Sequence, residues 1–526
     1  MGKFFEMPFC KARLAHKLEL LVEKKMKTAK KIFFISLVAF FSMAQIFAQD
    51  WDDDWGGDSD SASASSEESA GGFWDKFKFS GDASLGGRIY FDNKSAGKTE
   101  ARAIPELEIG LDYEGSSTNF TARINLSERT LLHNQIDILD EFRADLFLGD
   151  FVLSAGKMKV VWGKGDKLHV LDNFNANDYT DFLIPDYLDR RAGEYMFRVQ
   201  YNAPSVFRLE GIWTPVMRGE IYAEDGRWVP NKVKDLTAQV TKTQASKILA
   251  AAGVTPGEED GKLNKESLSA LMEASSMSAD SIMPNTNRLE YGQFGFYGNF
   301  SIGAVDLGVS YYNGHYKQVS ANMLSTIMAK KGVPGYDGMP SLEYDKLQVF
   351  GLDAQAAAGP FTLRAELAYN LTKDTAGDDP WVHNNSVSYL AGFDVGIPLH
   401  NLNLNVQGTG NFVLKKDKIS DTMIAKGGGK DLDTDYDPTG CYSNNKIVVQ
   451  LKDTFYYEKV EAVVKAIYGF ERRDLVLMPE VSYKIRDGWK ARLSGLFIHN
   501  FGDDEDSEFA GWLDNSFIQL SVHYSF

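Results

Sequence analysis

Hydrophobic and polar residues alternate along most of the chain from Lys76 onward. Residues 402–412 put Leu402, Leu404, Val406, Gly408, Gly410 and Phe412 on one face, against Asn403, Asn405, Gln407, Thr409 and Asn411 on the other. Side chains of a strand point alternately to opposite faces, so this segment reads as a strand with one apolar and one wet surface. The same period recurs at 195–202, 361–369 and 460–468. These segments approach the length of about 9–11 residues that a tilted strand needs to cross a bilayer, longer than the roughly 5–6 residues of ordinary strands.

Read this way, the chain holds about eighteen strands, from 76–91 to 515–526, with sixteen to twenty compatible with the pattern. Short gaps around Gly115, Gly149, Pro204, Ile302, Gly359, Pro398, Glu458 and Asp487 alternate with long ones at 162–192, 215–289, 314–343, 371–385, 414–445 and 500–514. Short turns at one end and long loops at the other are the signature of an outer-membrane barrel. The expected fold is all-β, a transmembrane antiparallel β-barrel. Within the external insertion 215–289, residues 232–253 and 263–276 are rich in helix formers and predict a small helical cap.

Residues 73–526 form the barrel in this reading, and two segments precede it. An upstream extension, 1–25, leads into a basic start at Met26, an apolar stretch 32–47 and a small residue at Ala48, the layout of a cleavable secretory signal. Residues 49–72, rich in Asp, Ser and Gly, bury too little apolar surface to order themselves and read as a linker. The formal net charge is -17, with 56 basic and 73 acidic side chains. An acidic chain without a basic stripe excludes nucleic acid as the expected partner. Two cysteines, Cys10 and Cys441, provide no disulfide framework.

Tyr90, Tyr113, Tyr201, Trp213, Tyr291, Tyr369 and Tyr468 lie near strand ends and suit interfacial girdles in contact with outer-membrane lipid. The last strand carries Leu520, Val522, Tyr524 and Phe526 on one face. That ending resembles the signal by which such barrels are handed to their assembly machinery.

Residues 156–191 place Trp162, Gly163, Asp166, Asp172, Asn175, Asp178, Tyr179, Phe182, Pro185, Asp186 and Arg190 in a spacing of their own. The stretch resembles the strand and loop of a porin-like bacterial family catalogued as domain of unknown function 1302, with Ala176 where that family has Pro. The resemblance covers about 36 of 526 residues and implies shared architecture. Its loop holds six Asp between 166 and 189 beside Arg190 and Arg191. It suits either a constriction folded into the lumen or a charge-paired fastening to the wall.

Arg88, Arg123, Arg198, Arg208, Arg364, Arg492 and Lys465 fall on inward positions, as do Asp82, Glu210, Glu366 and Glu461. Opposed basic and acidic walls would set a transverse field; pairing between them would cancel it. Asp431, Asp433, Asp435 and Asp437 alternate like calcium ligands without the Gly and distal Glu of an EF-hand. No nucleophile motif and no metal-ligand spacing appears, so no catalytic residues and no cofactor beyond that calcium candidate are expected. The function expected is an outer-membrane porin or substrate-selective channel for small solutes. A barrel-anchored surface adhesin, or an exporter or binder of lipid-like substrates, is the alternative.

Overall fold

The computed structural model describes residues 76–90, 100–132, 134–184, 186–203, 207–223, 226–231, 283–320, 342–419, 433–503 and 506–526. The leader, the linker and the two helical segments expected within 215–289 lie outside the described residues. So does Pro185.

The strands run β1 Phe77–Tyr90, β2 Glu100–Glu114, β3 Thr118–Ser127, β4 Leu139–Leu148, β5 Phe151–Met158, β6 Glu194–Ala203, β7 Phe207–Thr214, β8 Gln293–Ile302 and β9 Val305–His315. They continue with β10 Lys346–Ala358, β11 Phe361–Leu371, β12 Ser386–Gly396, β13 Asn403–Val413, β14 Ser443–Phe455, β15 Val460–Gly469, β16 Asp474–Arg486, β17 Trp489–Asn500 and β18 Phe517–Ser525. Each pairs antiparallel with its sequence neighbour, and β18 returns to β1, closing one eighteen-stranded sheet. Closure leaves no edge, which an isolated sheet in hydrocarbon could not tolerate.

Four of the short turns have two residues and carry a glycine with positive φ: Gly149, Gly303, Gly359 and Gly488. At Gly303 (φ 64°) and Gly359 (φ 62°) a Cβ would meet nothing, so backbone conformation alone selects glycine there.

The burial pattern is inverted relative to a soluble protein. On β11, Phe361, Leu363, Leu367 and Tyr369 are exposed, whereas Glu366, Ala368 and Asn370 are buried. Phe294, Phe296 and Phe300 on β8 and Phe350 and Leu352 on β10 continue the exposed apolar belt. Trp213 and Tyr369 join it. Tyr90 does not: it faces inward, fully buried against Trp228 and Phe517, because its parity on β1 is that of Arg88. Tyr291 also departs from the girdle expectation, since Leu289–Tyr291 is a 3-10 turn preceding β8 and its ring packs on His315.

Strand β5 stops at Met158, short of the expected 161. At Gly156 (φ 137°) a Cβ would lie 2.0 Å from the Phe142 carbonyl oxygen. Beyond this bend the chain leaves the wall and enters the lumen.

Candidate functional site

The segment joining β5 to β6 crosses the barrel interior, and its wall contacts come from strands spread around the whole circumference. Trp162 Nε1 donates to Glu210 on β7 (2.8 Å), Lys164 to Asn299 on β8 (2.6 Å), and Asn405 on β13 to Asp166 (3.0 Å). Arg88 on β1 holds Asp181 through two bonds of 2.7 and 2.9 Å, and Lys465 on β15 reaches Asp186 at 2.6 Å. A loop lying outside the barrel could not touch these strands together.

Glu366 on β11 is the central anchor. Its carboxylate accepts from Gly165 N (2.6 Å), Val170 N (2.8 Å) and pairs with His169 Nδ1 (2.9 Å). Gly163 (φ 110°) is required for this approach, because a Cβ there would sit 2.2 Å from the Glu366 carboxylate. Asn175 joins entry to exit: Val160 N donates to its Oδ1, and its Nδ2 donates to the carbonyls of Met158 and Ala192. A buried amide with its capacity filled in this way fixes the loop base.

Asp172 is buried with Arg191 (2.7 Å) and accepts from the Tyr187 hydroxyl. Arg191, not Arg190 of the family-like pattern, is therefore the buried guanidinium. Arg190 makes no side-chain hydrogen bond among the described residues, and burial lowers its pKa. Asp178 accepts from Thr180 and pairs with Arg129. Next to it, Asp137 binds Arg218 (2.6 Å), Lys157 (3.2 Å) and Arg129 (3.3 Å), tying the β3–β4 and β7–β8 connections to strand β5 in one knot. Burial pushes the Asp137 carboxyl up, but these three cations outweigh it and hold it down to about 2.

The wall charges are paired locally. Arg198 and Arg208 share Glu210 at 2.7 Å each; Arg123 binds Asp112, Arg364 binds Asp394, and Arg492 lies 3.3 Å from Glu480. Glu461 takes Lys452, leaving Lys465 to the loop. Of the two arrangements the inward charges allow, opposed walls or mutual pairing, the ion pairs follow the second, between neighbouring strands and from wall to loop.

The loop divides the lumen. On one side Trp162, Leu171 and Phe174 pack with Met158, Val160, Met196, Ile212, Tyr297, Tyr312, Leu347, Val349 and Ala368 into a dry cluster against β6–β11. On the other side a cavity of about 1620 Å³ remains, bounded by charged positions of β1–β3 and β14–β18, including Glu106, Glu108, Lys452, Lys465 and Arg492. Arg190, Asp186 and Asp189 face it from the loop.

The calcium expectation is not met among the described residues, where no group of three His, Cys, Asp or Glu could hold a metal. Asp431 lies outside them. Asp435 accepts from Asn384 N and pairs with His383; Asp437 accepts from Thr439, Tyr442 N and Arg472; Asp433 accepts from Asp435 N. Donors of this loop and of the neighbouring β11–β12 and β15–β16 connections take these oxygens. Burial, with the charges of Asp435 and Asp374, raises Asp433 to about 7.

The C-terminus was read as an assembly signal, and its placement is specific. Phe526 N and O bond Gly81 at 3.0 and 2.9 Å, and the Phe526 ring occupies the space a Gly81 side chain would need. Leu520 is exposed on the outer face, and Tyr524 stacks on Phe526. Val522 shares their parity.

No protein-family model and no curated protein matches the chain. Among solved structures it is similar to a BenF-like porin from Pseudomonas fluorescens, at 8% identity and TM-score 0.44 over 86% of this chain and 99% of that one. It is similar to OccK2 of Pseudomonas aeruginosa at 11% identity and TM-score 0.43, over 87% and 98%. OccAB4 of Acinetobacter baumannii matches at 10% identity and TM-score 0.41, over 86% and 97%.

Proposed function

We propose that this chain is an outer-membrane channel for small hydrophilic solutes, in which the segment 159–193 sets the constriction. The observation that supports it is the coexistence of an apolar outer belt around a closed sheet with a charge-lined cavity beside an inward loop. A barrel of this strand number has room for an aqueous path unless it is filled, and here a cavity of about 1620 Å³ stays open. The porin-like family that the Trp162–Arg190 element resembles agrees with this reading. Outer-membrane lipid and the barrel-assembly machinery are its partners in the envelope, the second through the strand ending at Phe526.

In planar bilayers the purified chain is expected to conduct in discrete steps. Lys465→Ala, which frees Asp186 at the loop margin, should raise the unit conductance. Silence of a correctly inserted protein under all voltages would overturn the channel reading; unchanged conductance in Lys465→Ala would remove the loop from the constriction.

A further inference from the structure

Barrel closure brings together three residues from the two ends of the chain. On the lumen face of β18, Ser521 Oγ lies 2.9 Å from His523 Nε2, and the other ring nitrogen, Nδ1, lies 3.4 Å from Asp82 Oδ1 on β1. Asp82 is itself oriented by the Ser525 hydroxyl at 2.7 Å. With its proton on Nδ1, His523 donates to Asp82 and accepts from Ser521, the order of contacts that activates a serine nucleophile. A base-to-carboxylate distance of this length falls within the looser geometry of unliganded sites.

Register supplies the rest of the constellation. Ser521 is directly opposite Gly86 on one side and Arg492 on the other. A Cβ on Gly86 would stand 3.3 Å from Gln519 Nε2 and 3.4 Å from Ser521 Cβ. The missing side chain therefore leaves a gap that Ser521 and the Gln519 amide both flank. Ser521 is only 3% exposed, so this gap is its approach. Gln519 Oε1 accepts from Arg88 Nε at 2.9 Å, which turns the amide N–H groups away from Arg88 and leaves them without a partner among the described residues. Gly86, Gln519, His523, Asp82 and Arg492 all border the cavity, and Ser521 lies just behind them.

We infer that Ser521, His523 and Asp82 form an ester-cleaving site in the lumen, acting on small water-soluble carboxylic esters that enter the cavity. Ser521 Oγ bonds to the ester carbonyl carbon as its proton passes to His523 Nε2. Gln519 Nε2 faces the developing oxyanion. The carbon–oxygen bond to the alcohol breaks, and His523 returns the proton to the leaving alkoxide. Water, deprotonated by His523, then releases the acid and restores Ser521. No oxidant or cofactor enters. Ser521 and His523 are the catalytic residues; Asp82 is a positioning residue acting through the imidazole.

The test uses the full chain in detergent micelles, with a fluorophosphonate probe and p-nitrophenyl acetate. The probe should attach to Ser521, with loss of fluoride, and peptide mapping should find the adduct there. Ser521→Ala should abolish labelling and enzymatic turnover while the unit conductance in bilayers stays unchanged. His523→Gln should slow turnover by about 10²–10⁴-fold, and Gly86→Val should block labelling by closing the gap. Asp82→Asn should lower kcat at unchanged KM, the split expected of a residue that acts through the imidazole. Heat-modifiability reports insertion of each variant, and His523→Gln decides the matter should Ser521→Ala fail to insert. An inserted wild type that takes no probe at Ser521, or hydrolysis undiminished in the inserted variants, would overturn the inference without touching the channel reading.

Discussion

Two halves of the same lumen have opposite characters. Inward positions of β6–β11 include Met196, Ile212, Tyr297, Tyr312, Leu347, Val349 and Ala368, and they draw Trp162, Leu171 and Phe174 of the inward segment onto themselves. Inward positions of β1–β3 and β14–β18 include Asp82, Arg102, Glu106, Glu108, Lys452, Glu461, Lys465 and Arg492, which border open space, with a second, smaller apolar cluster of Tyr90, Val476, Leu496, Ile498 and Phe517 around Phe182 and Trp228. Burying each large apolar side chain contributes about 1.5–3 kcal/mol, whereas a charged wall would have to be desolvated before it could be covered. The segment therefore packs its apolar side chains on apolar ground, is tied to the charged wall through Arg88–Asp181 and Lys465–Asp186, and leaves the rest of that wall open to the cavity. A barrel of this width needs no separate plug to narrow it; an uneven inner face suffices.

The largest effect is expected where the hollow half is closed. Removing residues 517–526 deletes the strand that pairs with β1, leaving an edge that costs several kcal/mol per unsatisfied backbone group in hydrocarbon. Heat-modifiable, membrane-integrated protein should disappear, while removing 50–70 should leave it. Normal insertion of the truncated chain would contradict closure through β18.

Next come the anchors of the filled half. Trp162→Ala removes a buried ring and the Glu210 bond, and should cost about 3–5 kcal/mol. Glu366→Ala strands the N–H groups of Gly165 and Val170 and the His169 ring, each unpaired group costing about 1–3 kcal/mol. Both variants should unfold at lower denaturant and show noisier open-channel current. Quiet current at wild-type stability would mean that the dry cluster does not hold the loop.

An intermediate effect is set by pH at the Asp137 knot. A carboxyl depressed from 3.8 to about 2 contributes stability that is fully present well above pH 3.8 and is lost as pH falls toward 2. The loops holding Arg129 and Arg218 should become protease-sensitive over that window. Asp137→Asn should show the sensitivity already at pH 7, with little further change on acidification. Equal digestion of the wild type at pH 5 and pH 2 would argue that the knot is dispensable.

The smallest effect belongs to a wall pair with no loop partner. Arg364 and Asp394 are partly solvated, and such pairs contribute about 0–1 kcal/mol. Arg364→Gln should leave both denaturant midpoint and conductance nearly unchanged. A large loss would show that the filled half depends on wall charge as well as on apolar packing.

Much of the architecture was legible in one dimension. The period of two found every strand, because strand parity is a local property and the outward face must be apolar in lipid. Boundaries failed where a local break intervened, at Gly156 in β5 and at the 3-10 turn before β8. The breaks in inward polarity, such as Met196, Ile212 and Val349, were present in the sequence as signs of a filled half, but taking every inward position as wet concealed them.

Alternation thus determined by itself that the chain alternates sides of a sheet, that it crosses about eighteen times, and at which end its long connections lie. Which inward residues meet was decided only by closure and by the path of the inward segment. Arg88 finds Asp181, Glu366 finds Gly165, and Asp82 finds His523 through pairings separated by 93, 201 and 441 positions. No local pattern encodes such distances, because they depend on the register in which the last strand meets the first and on where a crossing loop finds apolar ground.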